Sequence, residues 1–423
     1  MSRLGARAGA GAGALGIVVG LVACGTSAKD VPPPPLPRAP EGALTSLDWN
    51  ATTRFLDSAV ASGATPGAVL GVSYRGAWLI YGTGRLGIDD STRPDANTVY
   101  DLASLTKVVG LTSAVMLGVT EGLLDIDDPV QRYVPAFQGE GKELVTLRHL
   151  LTHSSGLPAW RPLYIEAPDE DSAFALVYGT PLDTLPGRRS VYSDLGVILL
   201  TQAVETAWGM PLDILLAQRV FEPLGMTSTR FRPPPEWRNR IAPTEDDPWR
   251  GRIVRGDVHD ENAARLGGVS GHAGLFSTTH DLLIFSDWLL AEFLPTMPEP
   301  VCFGGVRCGA GPAIAGPALI REFATRQDLI PESSRALGWD TPSGRSTAGT
   351  LMSSASFGHT GFTGTSMWLD PERQLAIVLL TNRVHPSREN SRIGPVRRGV
   401  ADLVVATVDP NAQPRLDAVV EAR

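Results

Sequence analysis

The sequence predicts an α/β fold of the α+β kind, in which an antiparallel sheet is flanked by helices and joined to a helical region inserted mid-chain. Three observations predict it. Hairpin patterns stand near both ends, helical periodicity fills the space between them, and past residue 46 neither an internal repeat nor a proline-rich linker interrupts the chain. Residues 46–423 therefore read as one large unit.

The elements follow in order. Ala68 to Tyr74 and Ala77 to Tyr81 are apolar, β-favouring runs separated by Arg75-Gly76, a two-residue hairpin connection. From about Ser104 to Leu117 the spacing predicts a helix with Val108, Leu111, Val115 and Val119 on one face. Ser193 to Trp208 reads as a second helix, closed by Gly209 and Pro211, and Thr278 to Phe293 as a third. Thr365 to Leu369 and Gln374 to Thr381 repeat the hairpin pattern around Asp370-Pro371-Glu372-Arg373. Strands at both ends with helices between them predict one sheet built from the two termini.

Composition narrows the function. The 423 residues are 43% hydrophobic and 19% charged, as in globular proteins. With 37 Lys plus Arg against 45 Asp plus Glu, the net charge of −8 repels polyanions and argues against a nucleic-acid partner. Only Lys29, Lys107 and Lys142 are lysines; the other basic residues are arginine.

The N-terminus carries Arg3 and Arg7, then an apolar, glycine-rich run from Ala8 to Ala23 that is short for a membrane span and reads as a signal peptide over residues 1–23. Leu21-Val22-Ala23-Cys24-Gly25 resembles the bacterial lipoprotein box, which implies lipidation of Cys24 and an exported, membrane-anchored protein. Position 25 is not Asp, so in a two-membrane bacterium the resemblance points to the outer membrane, facing the periplasm. Residues 24–45, with six prolines between Lys29 and Pro40, form the expected spacer. The remaining cysteines, Cys302 and Cys308, are close enough for a disulfide that staples a local turn. Two free thiols, or half of a metal site, are the alternatives; no neighbouring cysteine pair or histidine completes such a site.

The chemistry centres on Ser104-Leu105-Thr106-Lys107. A serine and a lysine three apart at a helix start share one side of the helix. The serine also lies where helix N–H groups favour developing negative charge. A partly buried lysine is expected to lose its proton near neutrality and act as base, which arginine cannot do. In an arginine-dominated chain Lys107 therefore stands out. His153 reads as a loop-packing residue. His272, between Gly271 and Ala273 in a glycine-rich segment, is a candidate for ligand contact. Asp257 to Asp260 reads as a surface loop, and Trp160, Tyr164 and Trp249 either line the cleft or anchor loops.

Tyr192-Ser193-Asp194 opens the second helix, and His359-Thr360-Gly361 precedes the C-terminal hairpin. In order and separation, these three motifs resemble the SxxK, YxN and KTG signatures of the serine β-lactamase and penicillin-binding protein superfamily. The resemblance is to its class C β-lactamase-like branch, which includes family VIII esterases. Leu150-Leu151-Thr152-His153-Ser154-Ser155-Gly156-Leu157-Pro158 and the segment Gly268 to Thr278 are similar to that branch as well, and the likeness spans nearly all of residues 46–405.

The resemblance implies a β-lactamase/transpeptidase-like fold and a serine hydrolase that cleaves an ester or amide through an acyl-serine. Ser104 would be the nucleophile, and Lys107 with Tyr192 the pair that takes its proton and returns it to the leaving group. The backbone N–H groups of Ser104 and Phe362 would form the oxyanion hole. Asp194, His359, Thr360, Gly361 and His272 would contact substrate, with neither metal nor cofactor. Two positions depart from the family pattern. Asp194 stands where lactamases carry Asn, and His359 replaces the KTG lysine with a group titrating near neutrality. HTG is familiar among the esterases and peptidases of this branch, so an esterase or peptidase is expected ahead of an efficient β-lactamase. The segments Val258 to Ala263 and Gly271 to Gly274 are also similar to relatives acting on peptidoglycan, which makes an amidase or DD-carboxypeptidase the alternative. A catalytically silent binding protein of the same fold is a third reading, opposed by the presence of Ser104, Lys107 and Tyr192 together.

Overall fold

A computed structural model describes residues 44–293, 314–344 and 346–420. The proposed signal peptide, Cys24, nearly all of the spacer, and Cys302 and Cys308 lie outside the described residues.

Five antiparallel strands form the main sheet in the order Ala77–Gly84, Gly67–Tyr74, Leu375–Thr381, Ser366–Asp370, Phe357–Thr360. Both hairpins form where the sequence places them. The first of their strands pairs with the last, Ala68 opposite Thr381 and Tyr74 opposite Leu375, so the sheet is closed by the two ends of the domain. Phe357–Thr360 is an edge strand that sequence reading leaves out. Its four residues include Gly358 and His359 and carry no β-branched run, and pairing with Ser366–Asp370 is what makes them a strand.

Strand alternation divides the core in two. Ala68, Leu70, Val72, Ile377 and Leu379 face the helices Asn50–Ala61 and Ile393–Val408. Val69, Ala376, Val378 and Leu380 face the helix Thr279–Phe293 and the large cluster that continues into the inserted region. Within that region the expected helix from Ser104 is a wide π-type turn, Lys107–Leu111, continuing as an α-helix over Thr112–Thr120. Residues 107 to 118 are buried on every side rather than on one face, because this segment runs through the middle of the helical region and packs on the helix Asp194–Trp208. A small sheet, Val99–Asp101, Leu275–Thr278 and Arg230–Phe231, links the two halves. Among the described residues no single helix is long and apolar enough to cross a membrane.

Gly71 lies where the central strand meets the helix Thr279–Phe293, and a Cβ there would collide with Thr279 Cγ2 and press on Leu283. Gly71→Ala is expected to cost about 1–3 kcal/mol, read as a lower midpoint in urea unfolding; an unchanged midpoint would show that sheet and helix are not in tight contact.

Candidate active site

Ser104 precedes the regular helix. It sits in a tight turn in which the amides of Leu105, Thr106 and Lys107 bond the carbonyls of Leu102, Ala103 and Ser104. Such i to i−3 turns bring side chains three apart into register, which places Ser104 under Lys107. Ala103, just before Ser104, holds a left-handed φ of 47°. The turn is locked to the C-terminal hairpin by Thr365 Oγ1, which donates to the Leu102 carbonyl at 3.0 Å, and Thr363 Oγ1, which donates to the Asp101 carbonyl at 2.8 Å. Only glycine fits at 361, since a Cβ there would strike Thr365 Oγ1 and the Leu102 carbonyl oxygen. Among the described residues the N–H groups of Ser104 and Phe362 have no hydrogen-bond partner.

Lys107 is buried, and its ammonium meets three segments. It donates to Ser104 Oγ at 3.0 Å and to the His272 carbonyl oxygen at 2.8 Å, and lies 2.8 Å from Asp194 Oδ1. The last contact is an ion pair rather than an aligned hydrogen bond, because that oxygen has no donor pointed at it. Burial alone would lower the pKa of Lys107. The Asp194 carboxylate, then Tyr192, outweigh burial and hold it above the ordinary 10.5. The expectation of a lysine that sheds its proton near neutrality is therefore corrected: Asp194 turns it into a fixed cation. Asp194, expected to face substrate, is engaged by Lys107 instead.

The Tyr192 ring neighbours two histidines, 4.5 Å from His153 and 5.9 Å from His359 by ring centroids. His153 Nδ1 accepts the Ser193 amide at 3.1 Å, the anchoring role its loop suggested. His359 Nδ1 pairs with the Thr360 carbonyl, and its Nε2 is buried without a partner. Burial, then the charges of Arg335 and Lys107, hold His359 well below the usual histidine range. It is a neutral ring at pH 7, not the group titrating near neutrality that the HTG motif suggested.

Positive charge comes instead from arginine. A cleft of about 360 Å³ is lined by Ser104, Tyr192, His359, Thr360, Gly361 and Phe362 together with Arg335, Asp340, Arg383 and Arg397. The Arg335 guanidinium lies 5.1 Å from the centre of the Tyr192 ring. Arg397 donates to the carbonyls of Gly361 and Thr365, its Nε is unpaired, and burial pushes its pKa down to about 9. Among the described residues no carboxylate forms an ion pair with Arg335, Arg383 or Arg397. Nothing local in the sequence marks these three in a chain whose cations are nearly all arginine.

The structure thus brings Ser104, Lys107, Tyr192, Asp194, His359, Thr360, Gly361 and Phe362 together. His272 is placed differently. Its ring is 1% exposed and turned to Asp260 at 2.9 Å and Ser270 at 2.7 Å, so it supports Lys107 through its carbonyl and does not line the cleft. Of the stretch Asp257 to Asp260, read as a surface loop, Asp257 is exposed, but Val258 and His259 are buried, His259 against Glu245, and Asp260 caps the helix Glu261–Arg265 and pairs with His272. Trp160, Tyr164 and Trp249 pack on one another outside the residues that line the cleft.

A protein-family profile described as Beta-lactamase matches residues 52–401. A curated relative from Salmonella typhi, named "Putative D-alanyl-D-alanine carboxypeptidase", is 33% identical over 339 residues, which cover 72% of this chain and 73% of the relative. Among solved structures, EstCE1, described as a hydrolase with promiscuous acyltransferase activity, is similar with a TM-score of 0.65 at 20% identity, covering 84% of this chain and 97% of that one. The octameric penicillin-binding protein homologue from Pyrococcus abyssi is similar with a TM-score of 0.65 at 20% identity, covering 89% of this chain and 81% of that one. At these identities the structural likeness is one of fold.

Removing one partner of a buried ion pair strands the other, at a cost of roughly 3 kcal/mol. Asp194→Asn is expected to lower stability by about that much at pH 7. The folded pKa of Lys107 lies above its unfolded value, so the contribution is complete below pH 10.5 and is lost only as pH rises through the folded value. Guanidinium unfolding at pH 7 and at pH 11 measures the difference. Equal stability of the two proteins at pH 7 would show that the pair holds nothing in place.

Proposed function

The chain belongs to the beta-lactamase family, and from that premise we propose that it is a serine hydrolase acting on a bond whose leaving group carries a carboxylate, a reaction of the D-alanyl-D-alanine carboxypeptidase type. The carrying observation is the cleft of a chain with net charge −8: beside Ser104 it is lined by Arg335, Arg383 and Arg397, against one acid, Asp340, among the described residues that line it. A buried or half-buried guanidinium without an anion is costly, and a bound carboxylate relieves that cost. The name of the Salmonella relative agrees with this reading.

The steps follow from the geometry. Ser104 Oγ attacks the carbonyl carbon, and the oxyanion is received by the Ser104 and Phe362 amides. Lys107 is already an ammonium and cannot take the serine proton, so the step requires Tyr192 as its phenolate, which takes that proton while the Lys107 ammonium and the Arg335 guanidinium lie 5.0 and 5.1 Å from its ring centre. Tyr192 then protonates the leaving amine or alcohol, the carbonyl collapses to acyl-serine, and water completes the hydrolysis. Ester hydrolysis uses the same steps, and the neutral His359 suits it, because a neutral leaving group needs no cation beside that ring. The Leu21 to Cys24 box supports the further reading that a lipid on Cys24 holds the enzyme at the cell envelope, beside peptidoglycan peptides.

The test compares a peptide ending in D-Ala-D-Ala as the free acid, the same peptide as its C-terminal amide, and a p-nitrophenyl ester. A charge-assisted hydrogen bond is worth about 1.5–3 kcal/mol, so the free acid should be cleaved about ten- to a hundredfold better than the amide in kcat/KM. Arg335→Gln should erase most of that preference, and Ser104→Ala should end all turnover. Equal cleavage of acid and amide, or turnover of the ester alone, would discard the carboxylate reading and leave an esterase. For the anchor, Cys24→Ala should abolish incorporation of labelled palmitate and release the protein from membranes; labelling that persists in the variant would reject Cys24 as the site.

A further inference from the structure

Asp101 ends the strand Val99–Asp101 and is 2% exposed. Its two carboxyl oxygens serve two distant segments. Oδ1 accepts the Ala103 N–H at 2.8 Å, and Oδ2 accepts the His259 N–H at 2.7 Å. Ala103 is the left-handed residue whose turn sets the direction of the next amide, that of Ser104. A non-glycine residue in that conformation is strained and persists only where its surroundings hold it. The Asp101 carboxyl is what holds it.

On the other side, the His259 ring stacks on Phe362 at 5.7 Å and an interplanar angle of 22°. A second partner of Phe362 is Arg383, 4.4 Å from the ring centre, whose Nε also donates to the Phe362 carbonyl at 2.8 Å. These two contacts hold a ring that is 49% exposed. A single buried carboxyl therefore reaches both the turn that aims the Ser104 amide and the residue that braces Phe362.

We infer that Asp101 is a positioning residue for the oxyanion hole, fixing the Ser104 and Phe362 amides relative to each other through Ala103 and His259. The inference rests on the acyl-serine reading above. It assigns Asp101 no contact with substrate. Its effect appears only when negative charge develops on the carbonyl oxygen, so Asp101 should govern kcat and leave KM nearly unchanged.

The test is Asp101→Asn in the full chain. An amide offers one oxygen to two N–H donors, so one of the two segments loses its acceptor. Expected are a fall in kcat of about ten- to a hundredfold on the p-nitrophenyl ester and a KM within about twofold. Affinity for phenylboronic acid should weaken by the same factor as kcat. That probe forms a boron–oxygen bond to Ser104, whose proton passes to the base, and places a boronate oxygen in the hole. A folded variant with wild-type kcat, or with reduced kcat and unchanged boronate affinity, overturns the inference. If Asp101→Asn does not fold, His259→Leu carries the test, since it keeps the 259 amide and removes the ring from Phe362. It should lower kcat and boronate affinity together, and no change in either overturns the inference. Failure of the underlying reading looks different: the wild type itself would then show no Ser104-dependent turnover and no boronate binding.

Discussion

A buried ammonium cannot be hydrated, so the protein must surround it, and Lys107 is surrounded by groups from three separate stretches of chain. Ser104 lies one turn away, Asp194 starts a helix almost ninety residues later, and the His272 carbonyl comes from the glycine-rich segment before the helix Thr279–Phe293. The need to satisfy one charge therefore draws together Ser104, the segment bearing Tyr192, and the wall behind them. Asp194 keeps the lysine protonated. An amide at that position would leave burial to dominate.

Charge is arranged against the character of the chain as a whole. A protein of net charge −8 concentrates unpaired guanidinium groups in one cleft. His359 stands beside them and stays neutral first because it is buried and then because nearby cations, Arg335 and Lys107 foremost, disfavour another. The cation that the family pattern keeps on the strand has moved to the side: Arg335 belongs to the stretch before the edge strand Phe357–Thr360, and Arg397 to the C-terminal helix Ile393–Val408. A histidine at 359 and the arginines around it thus form one electrostatic unit.

Behind the reacting atoms lies a layer of polar groups that are fully occupied with one another. His272, Glu245, His259 and Asp101 are buried and Asp260 is half-buried, and each carboxyl has hydrogen-bond partners. A histidine in such a layer acts through what it holds. His272 presents its carbonyl to Lys107, His153 receives the Ser193 amide, and His259 braces Phe362. Backing of this kind holds in place two amides, those of Ser104 and Phe362, that come from distant stretches of the chain.

Local residue chemistry determined much of this protein by itself. The two hairpins and the helices following Ser193 and Thr278 could be read from spacing, because each depends on neighbours within a few positions, the shared sheet followed from the order of those elements, and the motifs at Ser104, Tyr192 and His359 were legible through their resemblance to a known family. Tertiary structure decided what depends on distant charge and burial. The edge strand at Phe357 exists only through its partner, and Lys107 keeps its proton only because Asp194 lies against it. The His272 ring turns inward to Asp260, and Arg335 and Arg397 become site residues only once the chain has folded around them. Periodicity is a property of a segment. Protonation state and solvent access are properties of a place, and a place exists only after distant segments have met.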